Sequence, residues 1–163
     1  MANLSTGPFF IPKFIQGTSH TPINILILTI GNLTNRTLSV RTGIYQASIP
    51  SFQIVPLLPE ADFTLPPNKV ASIATPLFKT SSTTITETDT MMLTDSQVLV
   101  VTVSGDIEKS GRLAQVSITG GFSSDGTSLD ISEPTMFFRH DDFVGFHNHH
   151  IGPIHHPLEH NHE

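Results

Sequence analysis

Between positions 38 and 44 the side chains Leu38, Val40, Thr42 and Ile44 share one parity, and Ser39, Arg41 and Gly43 share the other. A two-residue period places one set on each face of an extended chain, so this stretch predicts a half-buried antiparallel strand. Ala114, Val116 and Ile118 alternate with Gln115, Ser117 and Thr119 in the same way. The runs 23–30 and 98–103 are apolar at both parities and β-branched, which predicts central strands covered on both sides. Shorter pieces at 63–65, 70–75, 129–131 and 136–138 complete the set. No window of a dozen residues carries a 3.6-residue period, and only 87–93 has the pattern for a single helical turn.

Turn residues separate these runs. Gly31-Asn32 with Asn35-Arg36 predicts a hairpin between the strands at 23–30 and 38–44, and Gly105-Asp106 with Ser110-Gly111 predicts one between Val103 and Leu113. Pro66-Pro67-Asn68 breaks the chain before Val70, and Gly120-Gly121 and Ser123-Ser124-Asp125-Gly126 break it again. Roughly seven to nine short strands in about 120 residues fit an all-β fold, an antiparallel β-sandwich of jelly-roll or immunoglobulin-like type. Three zones follow: an N-terminal arm over residues 1–20, a β-sandwich domain over 21–138 and a His-rich tail over 139–163.

Composition narrows the chemistry. The chain has 163 residues, of which 13% are charged, and a formal net charge of -6 with only eight Lys plus Arg. So few cations exclude a nucleic-acid partner. With no Cys there is no thiolate catalysis, Cys-ligated zinc or disulfide. The longest apolar stretch, 25–30, is interrupted by Thr29 and is too short to span a bilayer, which excludes a membrane partner. The first eight residues lack the basic cluster and apolar core of a secretory signal peptide. From Thr21 to Arg139 there is no histidine, so the domain lacks the usual neutral-pH acid-base group, and the chain reads as a non-enzyme. Glu60 and Asp62, like Glu87 and Asp89, read as solvated loop charges, with weak calcium binding as the alternative.

The tail is the densest chemical feature. His147, His149, His150, His155, His156, His160 and His162 alternate with Asn, Gly and Pro, and no Lys or Arg lies beyond Arg139. Neutral imidazoles at this density take up zinc, nickel or copper in heterogeneous sites, without an evolved cofactor being implied.

In the arm, Phe9, Phe10, Ile11, Phe14 and Ile15 are too apolar to hang in water and too few to fold alone. Pro8 and Pro12 bracket the first cluster, and such an extended segment can join an open sheet edge through backbone hydrogen bonds. If the edge is its own, the arm closes the fold. If it belongs to a second copy, the contact is head-to-tail and propagates into a filament.

The sequence Gly7-Pro8-Phe9-Phe10-Ile11-Pro12, the run at 23–30 and Phe63-Thr64-Leu65-Pro66-Pro67-Asn68 resemble the jelly-roll fibre and appendage subunits, and other spore-surface proteins, of endospore-forming bacteria. The resemblance implies a structural subunit on a spore surface or outside the cell, assembling with copies of itself. In those appendages arm cysteines cross-link neighbours. This chain has none, so a fibre made from it would resist reducing agents fully. The expected function is a non-enzymatic filament subunit that donates its arm to the next copy, with Phe9, Phe10, Ile11, Phe14 and Ile15 as interface anchors. The alternatives are a carbohydrate- or surface-binding module, virion decoration proteins included, with a polar rim around Glu60, 87–95 and 123–125, or metal binding through the tail.

Overall fold

The computed structural model describes residues 2–18, 20–48, 54–77 and 97–145. Among them the chain forms strands β1 (Ala2–Ser5), β2 (Phe9–Phe10), β3 (Ile25–Asn32), β4 (Leu38–Ser48), β5 (Ile54–Leu65), β6 (Val70–Pro76), β7 (Gln97–Gly105), β8 (Ala114–Phe122), β9 (Ile131–Phe138) and β10 (Val144–Gly145). A three-residue 3-10 turn, His140–Asp142, links the last two. All strand pairings are antiparallel. They build a six-stranded sheet I, in the order β10-β1-β7-β4-β5 with β2 also on β7, and a four-stranded sheet II, in the order β6-β3-β8-β9. Two such sheets are consistent with a β-sandwich.

Alternation decides what each sheet buries. Leu38, Val40 and Ile44 of β4, Leu99, Val101 and Val103 of β7, and Leu26, Leu28 and Ile30 of β3 join Val116 and Ile118 of β8 in one apolar cluster. Ser39 and Arg41 face water, as the period predicts. The runs 23–30 and 98–103 do form strands central to their sheets. Their second faces are only half covered, however, because Ile27 and Val100 remain partly exposed.

Three connections differ from expectation. β3 and β4 lie in opposite sheets, and so do β7 and β8, so each predicted hairpin is an arch across the sandwich. The chain arches because Asn32 is buried at the end of β3, and its amide bonds the carbonyls of Arg36, Leu65 and Pro66 while its oxygen accepts from Thr34. One side chain thereby fastens the β3–β4 and β5–β6 connections together. The pieces expected at 129–131 and 136–138 are ends of one strand, β9, interrupted by a wide bulge. Thr119 pairs with Phe137 and Gly121 with Ser132, so four residues of β9 stand opposite Gly120 alone. Gly120 leaves room for the Met136 side chain that the bulge turns inward.

Residues 139–145, expected as the start of the tail, are built into the body. Phe143 is fully buried and β10 pairs with β1. The helical turn expected at 87–93 lies outside the described residues.

Candidate functional site

The arm lies along β7. Ala2 pairs with Gly105 and Ser5 with Thr102, whereas Phe9 pairs with Leu99 and Phe10 with Val98, so the arm gains one residue on β7 between its two strands. Gly7, at φ 68, makes that bulge with Thr6. Thr6 donates its N–H to the Val101 carbonyl at 3.0 Å. Its hydroxyl accepts the Val101 N–H at 3.1 Å, in place of the backbone acceptor that the bulge displaces.

The five expected anchors divide. Phe9 turns toward the core, its ring 4.5 Å from that of Phe138, and Ile11 packs on the edge of the cluster. Ile15 is buried in it. Phe10 and Phe14 point outward, 66% and 38% exposed. For β2 this split is dictated by the pleat, since adjacent residues face opposite sides. Beyond Ile15 the chain reverses. Thr18 returns its N–H and hydroxyl to the Ile15 carbonyl, Phe14 bridges Pro22, and Gly17 takes φ 84.

Sequence reasoning missed the group that ties down the end of the arm. Glu133, in the β9 bulge, is 1% exposed. One carboxylate oxygen accepts the Gln16 N–H at 2.6 Å, and the other accepts the N–H and hydroxyl of Thr135 at 3.1 and 2.7 Å. Burial pushes its pKa up, but the bonds from Gln16 and Thr135 outweigh burial and hold it below the usual carboxylate range. A charged residue two places before a Thr, with Pro134 between them, has the look of a loop and gives no sequence signal of burial.

His140 was grouped with the tail, yet it is a buried structural histidine. Nδ1 accepts the Val116 N–H at 3.3 Å, which leaves Nε2–H to donate to the Glu108 carbonyl at 2.9 Å. The ligand histidines expected at 147, 149, 150, 155, 156, 160 and 162 lie outside the described residues. Among the described residues no three His, Asp or Glu side chains come together to hold a metal ion, and no helix is long and apolar enough to cross a membrane.

A second candidate site is a groove on sheet I whose lining is more apolar than polar, with Val40 and Phe63 among its walls. It has a volume of about 470 Å3, and its polar lining comes from Asn3, Ser39, Arg41, Asp62, Thr64 and Ser104. Arg41 grips Asp62 with two bonds, 2.6 and 2.7 Å, and stands 3.8 Å from Glu60, to which the Tyr45 hydroxyl donates. The Arg41 bond holds Asp62 below its ordinary pKa, while burial and the Glu60 bond raise that of Tyr45. Glu60 and Asp62 are therefore strand residues of β5 rather than loop charges. The polar rim expected around Glu60 is divided. Ser123 and Asp125 follow β8 of sheet II, whereas Glu60 stands in sheet I, and 87–95 lies outside the described residues. Asp125 is bonded within its own turn, to the N–H groups of Thr127 and Ser128 and to the Ser128 hydroxyl, which depress its pKa strongly.

No protein-family model, curated protein or solved structure matches the chain.

Proposed function

We propose that the chain is a non-enzymatic structural subunit of an extracellular or spore-surface filament, which polymerises by giving its N-terminal arm to a neighbouring copy. The observation that carries this is the complementarity of arm and slot. The arm lies on a nine-residue strand, β7, which carries no charge and no proline, so withdrawing it would bare a long, regular, apolar edge. A second copy's arm makes the same bonds with the same residues, and exchange costs little beyond the entropy of association. Phe10 is left largely in water by the closed chain, and contact between copies would cover it; Phe14 is half covered by Lys13 and His20. Gly17, in the reversal that follows the arm, supplies a hinge.

The strand order supports a jelly-roll over an immunoglobulin-like fold. β5, β6, β7 and β8 alternate between the two sheets through three successive connections, whereas the ABED/CFG arrangement of an immunoglobulin domain never crosses more than twice in succession.

Electron microscopy and light scattering of concentrated full-length protein, beside a variant lacking residues 2–18 and the double variant Phe10→Ser/Phe14→Ser, test the proposal. Filaments are expected from the first alone. Monodisperse particles in every sample overturn it.

A carbohydrate-binding role is favoured by the sheet I groove, where an amide, hydroxyls and a guanidinium-carboxylate pair from four adjacent strands suit the hydroxyls of a neutral sugar. A glycan array probed with wild type and Arg41→Ala tests it; binding lost in the variant, without self-assembly, makes this the function.

A further inference from the structure

Besides its pairing with β7, the arm is held at three points by residues 133–145. Leu4 and Ser5 pair with Gly145 and Val144, the Phe9 ring packs on Phe138, and the Gln16 N–H reaches Glu133. Going up the arm, the partners go down the sequence, so residues 133–145 form an antiparallel strap over residues 4–16. The strap has its own anchors. Phe143 is fully buried, and His140 is bonded to backbone of Glu108 and Val116, so the strap stays in place when the arm leaves.

We propose that this strap keeps the arm in its own subunit, that Glu133 is its latch, and that opening the latch sets how readily the arm passes to a second copy. This rests on arm exchange as the mode of assembly. Three observations single out Glu133. It is buried in a bulge that spends four residues of β9 against one of β8, a local distortion that turns the carboxylate toward the arm. Its bond to Gln16 spans 117 positions of sequence and joins the end of the arm directly to β9. Its other oxygen is already committed to Thr135, so an amide placed there cannot satisfy both sides: with its oxygen on Thr135, its NH2 meets the Gln16 N–H donor to donor.

The latch is closed at neutral pH. Around Glu133, β8 carries no ionisable side chain and β9 no other; the ionisable groups of the arm and its reversal are Lys13 and His20. Bonding that favours the carboxylate stabilises the closed arm fully above the ordinary glutamate value of about 4.3, and this is lost as pH falls through the lower folded value. Acid therefore opens the latch.

Amide NMR of dilute full-length protein, with light scattering of the same samples after concentration, separates the latch from the filament. In Glu133→Gln, exchange at the Gln16 amide is expected to rise roughly tenfold to a hundredfold, the range for losing a bond to a charged group, with β3 and β8 amides unchanged and assembly faster. Faster exchange without assembly upholds the latch and overturns arm exchange. Unchanged exchange at Gln16 overturns the latch, whatever assembles. If the variant does not fold, the wild type titrated from pH 6 to about 3 decides: the Gln16 amide is expected to shift with the carboxylate and lose protection before β3 and β8, and its opening only together with them overturns the proposal.

Discussion

The two sheets are made from different parts of the chain. Sheet II takes β6, β3, β8 and β9, all between Ile25 and Phe138, whereas sheet I sets β1, β2 and β10, from the two ends, beside β7, β4 and β5. Sheet II is complete once the middle of the chain has folded. Sheet I is completed only by segments that lie far from their neighbours in sequence. Local stability follows contact, so the parts of sheet I added last are those able to detach while the rest persists. A fold divided in this way has a body made from the middle of the chain and a rim added from residues near its ends.

Four substitutions sharpen or break that contrast. The largest effect belongs to Leu28→Ala, at the buried centre of β3, which should lower stability by about 2–5 kcal/mol with arm and body unfolding together in urea. Ile15→Ala removes a buried side chain of the same class, but at the end of the arm, so it should open residues 2–18 while costing the body only about 1–2 kcal/mol. A global loss equal to that of Leu28→Ala would show that the arm is integral to the body. Thr6→Val takes away the acceptor for the Val101 N–H and should cost about 1 kcal/mol, seen as faster exchange of that one amide. Smallest is Arg41→Ala. Its pair with Asp62 is exposed to solvent on both sides, so the urea midpoint should not move, and a clear drop would mean that the outer face of sheet I is part of what holds the sandwich together.

How much of this was legible in the sequence varies from element to element. The alternation at 38–44 and 114–119 gave both the strands and their buried faces, because a solvated outer face imposes polar residues at every second position. The difference between hairpin and arch was not legible. Gly31-Asn32 serves either, and what selects the arch is Asn32 bonding to Leu65 and Pro66, more than thirty positions away. The arm was recognisable from its phenylalanines, yet which of them turn inward follows from a one-residue bulge at Gly7 that no local pattern announces. Glu133 and His140 were hidden for a common reason. A buried polar group is defined by partners remote in sequence, here Gln16 for one and Glu108 and Val116 for the other.

The pairing of β1 with β7 and β10 also bears on how the protein is made. The ribosome releases β1 first, but its partners emerge roughly 100 and 140 residues later, which at cellular synthesis rates leaves the arm unpaired for on the order of ten seconds. Throughout that interval older chains on the same message already display finished copies of β7. If arms are exchanged as proposed, this delay is when a neighbour's sheet can compete with the arm's own.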